Sequence, residues 1–223
     1  MIVVHHLNNS RSQRVLWLLE ELGVPYEVRR YQRDPNTMLA PAELRAVHPL
    51  GKSPVITDGQ TTLAESGAIV EYLLERYGNG RLVPASGTPE WLRYVYWLHF
   101  AEGSAMPPLL LKLIFERIKR AAVPFAVRPI ARGIADRALT SFVEPNLVRI
   151  FDYFESELAD RDWFAGSAFT VADIQMSYPI EAARARAALD DSRRRVIAWL
   201  ERIHARPAYG RALESGGTYE LLS

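Results

Sequence analysis

No cysteine occurs in this chain of 223 residues. This absence excludes disulfide bonds, thiolate metal sites, a thiol nucleophile supplied by the protein and a Cys-x-x-Cys redox centre. The five histidines are scattered along the sequence. Two of them, His5 and His6, are adjacent, and neighbouring residues of a strand point to opposite faces of a sheet. We therefore expect no metal site.

Several other features are scarce or missing. The formal net charge is only +1, so no global field favours nucleic acid or a membrane surface as a partner. The longest apolar run, residues 105–111, is interrupted by two prolines and is too short to span a bilayer. The sequence begins without the parts of a signal peptide and has no Walker loop or Gly-x-Gly-x-x-Gly motif. We expect a cytoplasmic protein.

The remaining composition is that of a globular protein, with 48% hydrophobic and 24% charged residues. Residues 2–77 read as strand, helix, strand, short helix, strand, strand and helix, an order that predicts a mixed sheet with helices on its faces. Helical patterns follow at about 90–120, 124–159, 171–187, 193–204 and 207–214. The sequence thus predicts an α/β domain over residues 1–80, a linker over 81–88 and an all-α domain over 89–223.

The most informative stretch is residues 48–56, which read HPLGKSPVI. A bond between a residue and proline at the mouth of an apolar strand is a place for a cis peptide, because proline reduces the preference for trans to about 0.5–1 kcal/mol. Such a turn leaves the N–H and C=O groups of Ser53 unpaired. Another backbone needs these groups to add itself as a strand.

A second part of this stretch follows the Asp58-Gly59 turn. Glu65 and Ser66 precede an apolar-periodic segment, so a helix N-terminus at Ser66 would favour a carboxylate. Glu65 instead favours an ammonium group. Together with Ser53, these preferences fit a small zwitterionic peptide better than a nucleotide or a sugar. The alternative is a hairpin and a capped helix without a ligand.

Two segments are rich in arginine. Residues 117–137 are locally basic, and residues 193–195 are three consecutive arginines. We interpret both as solvated helix faces, with an anion-facing role as the alternative.

At this point several motifs carry a family resemblance. Residues 10–14 after the first strand, Lys52-Ser53-Pro54, Glu65-Ser66 and the TVAD sequence at 170–173 together resemble a cytosolic glutathione transferase. The resemblance covers nearly the whole chain. The sequences HPLGKSP at 48–54 and AEGSAMPP at 101–108 look most like the fungal-type branch, which includes yeast and bacterial members. The family resemblance implies a thioredoxin-like N-terminal domain and an all-helical C-terminal domain. It also implies a homodimer and a role in detoxification.

The resemblance also implies roles for individual residues in binding glutathione. The backbone of Ser53, before the cis Pro54, would pair with the cysteinyl part, and the Ser53 side chain is expected to matter little. Ser66 would bind the γ-glutamyl carboxylate, with Glu65 near the γ-glutamyl end. Lys52 would face the glycyl carboxylate, and a solvated lysine is the alternative.

Catalysis in such an enzyme means holding the glutathione thiol as a thiolate. Ser10 lies where serine-type members of the family keep their thiolate-binding serine, so it is the expected catalytic residue. Its alternative role is a capping box in which its hydroxyl accepts from the Gln13 N–H. Ser12 and Asn9 are the further donors considered. The missing cysteine argues against the thiol-transfer and deglutathionylation classes.

The electrophile pocket is expected where the helical domain faces this site. Five residues of the first long helix recur at helical spacing, as a pocket wall would: Tyr96, Phe100, Gly103, Ser104 and Pro107. Core packing is the alternative for Tyr96 and Phe100. Glu102 is a candidate for the amino end of glutathione, bound either to its own subunit or to the partner subunit. Thr170 with Asp173 is expected to form a helix capping box.

Two functional classes follow from these residues. The first is an enzyme that joins glutathione to a small apolar electrophile or uses glutathione to reduce peroxides. The second is a non-catalytic protein on the same fold, a ligand carrier or a regulatory partner, in which the thiol is never activated. Ser10 discriminates between them.

Overall fold

The computed structural model describes residues 1–35, 37–186 and 188–222. Its first half contains a sheet of four strands: β1 (Ile2–Leu7), β2 (Tyr26–Tyr31), β3 (Val55–Asp58) and β4 (Thr61–Ala64). The strand order is β2-β1-β3-β4. Strand β1 pairs in parallel with β2 and antiparallel with β3. The predicted mixed sheet is confirmed.

Three helices cover this sheet: α1 (Ser12–Leu22), α2 (Ala42–Val47) and α3 (Ser66–Leu73), and a π-helical turn, Leu74–Gly78, continues α3. Helix α1 ends at Gly23, whose φ of 64° is left-handed; a residue without Cβ adopts this conformation at little cost. Nearly all of α1 is buried, because it packs both on the sheet and on the helical second half.

The second half is helical, as predicted. It contains α4 (Pro89–Phe100), α5 (Met106–Arg120), α6 (Arg128–Ala138), α7 (Glu144–Glu157), α8 (Val171–Ala185), α9 (Arg194–His204) and α10 (Pro207–Gly216). A π-helical turn, Ala101–Ala105, joins α4 to α5. Pro107 and Pro108 follow this turn and lack the N–H groups that would continue the regular ladder, which accounts for the irregularity. The predicted helix end at residue 187 lies outside the described residues.

One hydrophobic core runs through both halves. Trp17 of α1 is buried, and its ring contacts Tyr209 of α10 at 5.0 Å and Phe169 at 5.6 Å. Trp97 of α4 and Trp199 of α9 are fully buried in the same core. Within the described part of the chain, no helix combines the length and apolar character needed to cross a membrane.

Helix α8 begins with the predicted capping box between Thr170 and Asp173. The Asp173 carboxylate accepts hydrogen bonds from the Thr170 N–H at 3.0 Å and from its hydroxyl at 3.2 Å. It also accepts from the Phe164 N–H at 3.0 Å and from the Trp199 indole N–H at 3.1 Å. Asp173 is fully buried. Through these hydrogen bonds it joins three segments of the helical half in addition to capping α8.

We predict that Asp173→Ala lowers the free energy of unfolding by about 3 kcal/mol or more. The lost cap accounts for about 0.5–2 kcal/mol, and each buried donor left without a partner adds about 1–3 kcal/mol. Thr88→Ala is the control: Thr88 caps α4 from a more exposed position and accepts only from the Trp91 N–H, so its loss is expected to cost about 1 kcal/mol. Urea unfolding compares the two variants. An Asp173→Ala protein with normal stability but reduced turnover would contradict a structural role.

Candidate functional site

Ser53 lies at the entrance to β3, and the Ser53–Pro54 peptide bond is cis, as predicted. Among the described residues, neither the N–H nor the C=O of Ser53 has a hydrogen-bond partner. Its side chain, in contrast, is fully used: the hydroxyl donates to the His5 carbonyl at 3.0 Å and accepts from the Leu7 N–H at 3.3 Å. The Ser53 side chain thus has partners within the protein, and the expectation that it matters little for glutathione stays a prediction.

The Ser53 hydroxyl also contacts the Ser10 hydroxyl. Ser10 lies in the loop between β1 and α1, is 3% exposed, and donates its hydroxyl hydrogen to Ser53 Oγ at 3.3 Å. The Gln13 N–H donates to the carbonyl of Ser10 rather than to its hydroxyl. The Ser10 hydroxyl accepts the Ser12 N–H at 3.3 Å instead. The alternative role of Ser10, a capping interaction with Gln13, is absent from the described contacts.

Behind Ser10, the hydroxyl groups continue to a buried histidine. Ser12 Oγ is 2.7 Å from Ser10 Oγ and 2.9 Å from His6 Nδ1. Ser12 is fully buried and His6 is 4% exposed. Burial, together with the positive charge of Arg30, lowers the pKa of His6 to about 4, so its imidazole is neutral at physiological pH. Sequence reasoning did not identify His6 as part of this site, because its contact with Ser12 depends on where the loop folds.

Asn9 forms hydrogen bonds through both its side chain and its backbone carbonyl. Its side chain donates to Glu220 Oε2 at 2.8 Å and accepts the Glu220 N–H at 2.9 Å. The Tyr178 hydroxyl donates to the Asn9 carbonyl at 3.2 Å. Asn9 thus connects the loop before α1 to α8 and to the C-terminal segment.

The other end of the site is organised by Arg14, whose side chain is 1% exposed. Its guanidinium group donates to the Ser66 hydroxyl at 3.1 Å, to the Glu102 carboxylate and to the Gln175 carbonyl at 2.7 Å. Glu102 Oε2 also lies 3.0 Å from Arg11 Nε. Burial alone would raise the pKa of the Glu102 carboxyl, but the guanidinium groups of Arg14 and Arg11 bring it below its ordinary value.

Glu65 and Lys52 lie at the rim of the site. Both are exposed. Glu65 precedes α3 with a φ of 73°, a left-handed conformation that non-glycine residues adopt rarely and mainly where the surroundings enforce it. This turn places the buried Ser66 at the first position of α3.

Comparisons with known proteins agree with this geometry. The family model for the glutathione S-transferase N-terminal domain matches residues 10–76, and the model for the C-terminal domain matches residues 118–207. The chain is 36% identical over 208 residues to glutathione S-transferase 3 of Schizosaccharomyces pombe, with 93% of this chain and 85% of the relative covered. It is 32% identical over 222 residues to glutathione S-transferase 1 of Saccharomyces cerevisiae, with 96% and 94% covered.

The chain belongs to the glutathione S-transferase family. The predicted family is thereby confirmed, and solved structures confirm the fold. A glutathione S-transferase from Actinobacillus pleuropneumoniae matches with a TM-score of 0.80 at 32% identity, covering 100% of this chain and 96% of that one. A glutathione transferase from Phanerochaete chrysosporium, solved with oxidized glutathione, matches in fold with a TM-score of 0.74 at 23% identity and covers 96% of both chains. The predicted domain boundaries stay predictions.

Within this transferase, the residues predicted to line the electrophile pocket fall into two groups. Tyr96 and Phe100 contact each other at 5.5 Å, and the Phe100 ring lies 5.9 Å from Tyr153 and 5.7 Å from Phe154 of α7. These contacts correspond to the packing alternative for Phe100, whereas Tyr96 packs on Phe100 but is itself 45% exposed. The second group is exposed and comprises Gly103, Ser104 and Pro107. The assignment of all five to a pocket stays a prediction.

We predict that Arg14→Met lowers the free energy of unfolding of this transferase by about 2–4 kcal/mol, because it leaves buried acceptors and part of the Glu102 charge without a partner. It should also raise KM for glutathione, since Ser66, the residue predicted to bind the γ-glutamyl carboxylate, loses the Arg14 donor that orients its hydroxyl. Arg76→Met is the control: the Arg76 side chain is exposed and lies 3.7 Å from the Asp58 carboxylate, and such long pairs at the surface contribute about 0–1 kcal/mol. Equal stability and equal KM in both variants would contradict the role of Arg14.

Proposed function

We propose that this glutathione S-transferase conjugates glutathione to small electrophiles and that Ser10 holds the glutathione thiolate. The observation that carries the proposal is the contact between Ser10 and Ser53. The contact brings a buried hydroxyl next to Ser53, whose N–H and C=O have no hydrogen-bond partner among the described residues and can pair with a bound peptide. The sulfur of a cysteinyl residue paired with Ser53 would then lie next to the Ser10 hydroxyl.

Binding of the rest of glutathione is assigned by charge. Ser66, at the N-terminus of an eight-residue helix, would bind the γ-glutamyl carboxylate with its N–H and hydroxyl. Glu65 would bind the ammonium group. Lys52 would pair with the glycyl carboxylate from its exposed position. These assignments follow the resemblance and are supported by the antiparallel register of β3 and β4, in which Val55 lies opposite Ala64, so that Ser53 and Ser66 lie at the same end of the two strands.

The direction of the hydrogen bonds supports a donor role for Ser10. Because the Ser53 hydroxyl donates to the His5 carbonyl, Ser10 must be the donor in the contact between them. Ser10 therefore accepts from Ser12, and Ser12 accepts from His6. This direction requires the proton of neutral His6 to be on Nδ1, a tautomer that is inferred from the network. With the chain polarised in this way, the Ser10 hydrogen can turn from Ser53 to a bound sulfur.

The energy available from this donor is of the right size. A free thiol has a pKa of about 8.5, and lowering it by one unit requires about 1.4 kcal/mol of preferential stabilisation of the thiolate. A hydrogen bond to a charged group contributes about 1.5–3 kcal/mol. One well-directed hydroxyl therefore suffices to make much of the bound thiol a thiolate near neutral pH.

We predict that Ser10→Ala raises the pKa of bound glutathione by about 1–2 units, which is the loss of one such hydrogen bond. Ultraviolet absorbance of the thiolate measures the titration, and kcat/KM at pH 7 should fall by about tenfold or more. Ser177→Ala is the control, since Ser177 is equally buried and donates only to the Ile174 carbonyl of its own helix. If bound glutathione titrates like free glutathione in the unaltered protein, the non-catalytic alternative is correct.

We predict that His6→Phe also raises the pKa of bound glutathione, by a smaller amount than Ser10→Ala, because Ser12 is then free to turn its hydrogen away from Ser10. His6→Asn, which keeps an N–H near the position of Nδ1, should restore most of the effect. His5→Phe is the matched control: His5 is 4% exposed like His6 but bonds to Tyr31 at 2.9 Å on the other face of β1. A folded His6→Phe protein in which the pKa of the bound thiol is unchanged would contradict the role of His6 in orienting the Ser12 and Ser10 hydroxyl groups.

The predicted homodimer, cytoplasmic location and reduction of peroxides are part of the same proposal. Several large apolar side chains of the helical half are exposed, among them Leu92, Leu110 and Ile130, and exposed apolar surface is commonly covered by a partner. Light scattering in solution tests the dimer. A panel of electrophiles and hydroperoxides tests the balance between conjugation and peroxide reduction.

A further inference from the structure

The chain after α10 returns toward the loop that precedes α1. Helix α10 ends beside the sheet, where Arg30 of β2 donates to the Ser215 carbonyl at 2.7 Å and to the Gly216 carbonyl at 3.4 Å. Gly217 then turns the chain with a φ of 85°, a left-handed conformation that glycine adopts at little cost. The C-terminal segment, residues 217–222, thus begins at a point that is fixed to the sheet.

This starting point lies close to the hydrogen-bonded series behind Ser10. A Cβ atom at Gly216 would lie 2.5 Å from Gln13 Oε1 and 3.4 Å from His6 Cε1. Both of these residues are buried, so a side chain at position 216 would collide with them. The end of α10 is therefore packed directly against His6, the histidine that contacts Ser12.

Tyr219 anchors the C-terminal segment to α8. Its hydroxyl donates to Glu181 Oε2 at 2.8 Å. The other oxygen of this carboxylate accepts from the Tyr209 hydroxyl at 2.7 Å and lies 3.1 Å from His204 Nε2. Glu181 is 2% exposed, and a buried carboxylate requires such partners. Burial and the Glu181 charge raise the pKa of Tyr219, so its hydroxyl keeps the hydrogen that it donates. The anchor therefore constrains the position of the next residue, Glu220.

Glu220 holds the side chain of Asn9 at two points. The Glu220 N–H donates to Asn9 Oδ1 at 2.9 Å, and Asn9 Nδ2 donates to Glu220 Oε2 at 2.8 Å. A backbone N–H can only donate, so the amide oxygen must face it and the amide nitrogen must face the carboxylate. The Tyr178 hydroxyl fixes a third atom, because it donates to the Asn9 carbonyl at 3.2 Å. Residues of the helical half thus fix both the side chain and the backbone of Asn9.

The backbone of Asn9 has a conformation that needs this support. Its φ is 52°, in the left-handed region that asparagine adopts more readily than most residues but still at a cost. Ser10 is the next residue, and α1 begins at Ser12. The left-handed turn at Asn9 therefore sets where the Ser10 hydroxyl lies relative to Ser53.

We propose that Glu220 and Asn9 are positioning residues for Ser10. Glu220 holds Asn9 in its left-handed turn, and this turn places the Ser10 hydroxyl within hydrogen-bond distance of the sulfur of bound glutathione. This inference rests on the proposed function, in which Ser10 holds the thiolate, and extends the support of Ser10 into the helical half. Asn9, considered from the sequence as a donor to the thiolate, is assigned to positioning instead, because Glu220 engages both polar atoms of its amide group.

We predict that Glu220→Ala raises the pKa of bound glutathione by about half a unit to one unit, because a displaced Ser10 hydroxyl forms a longer and weaker hydrogen bond to the thiolate. At pH 7, kcat should fall by about three- to tenfold, whereas KM for glutathione should change by less than about twofold, since Glu220 contacts Asn9 rather than Ser53 or Ser66. Glu220→Gln, which keeps an acceptor oxygen for Asn9, should restore most of the activity. Thiolate absorbance and steady-state kinetics measure these effects.

Glu214→Ala is the matched control, because Glu214 is an exposed glutamate of α10 and forms none of the described hydrogen bonds of Asn9. Glu220 is exposed as well, so the variants are expected to fold, and thermal melting checks this. The double variant Asn9→Ala, Glu220→Ala separates positioning from direct catalysis. If Glu220 acts through Asn9, this double variant has the same thiol pKa as Asn9→Ala alone.

Equal thiol pKa values in the Glu220→Ala and Glu214→Ala proteins overturn the positioning role, while thiol activation by Ser10 stands. Additive shifts in the double variant also overturn it, because Asn9 and Glu220 would then act independently. A raised KM with an unchanged thiol pKa overturns it as well, since the pair would then serve glutathione binding. If bound glutathione titrates like free glutathione in the unaltered protein, the proposed function fails, and the positioning role fails with it.

Discussion

The buried guanidinium of Arg14 is the interaction on which the rest of the site depends. Arginine stays charged in proteins, so a buried one requires acceptors around it. Arg14 finds them on three elements other than its own helix: the Ser66 hydroxyl at the start of α3, the Glu102 carboxylate after α4 and the Gln175 carbonyl in α8. These acceptors belong to both halves of the chain. Satisfying one charge therefore fixes how the helical half sits on the sheet.

The two ends of the proposed glutathione site are held in different ways. The γ-glutamyl end depends on Arg14 and thus on packing between the halves. The thiol end is supported within the first half, by the series of contacts from His6 through Ser12 and Ser10 to Ser53. Its members lie on β1, on α1 and in the loops beside them. Substitutions in the helical half, except at residues that contact Asn9, are therefore expected to alter the affinity for glutathione more than the pKa of its bound thiol.

Local features were predicted well because each depends on a few neighbouring residues. The strands and helices of the first half follow their periodicity, and the left-handed Gly23 ends α1. The cis bond before Pro54 and the capping box of Thr170 and Asp173 are also present. The capping residue nevertheless has partners that the motif does not contain, since Phe164 and Trp199 reach Asp173 only after the helices pack.

The sequence by itself determined the family, the order of elements and the residue types available for binding glutathione, because short motifs and periodic patterns encode them. Only the tertiary structure decided that the Ser53 side chain contacts Ser10, that His6 contacts Ser12 and that Arg14 binds Ser66, Glu102 and Gln175. Most of these residues come from different elements of the chain, and no pattern in the sequence specifies which side chains become neighbours. Packing of α1 between the sheet and the helical half brings these residues together. Burial then strengthens their electrostatic interactions and hydrogen bonds, because the protein interior screens charge less than water does.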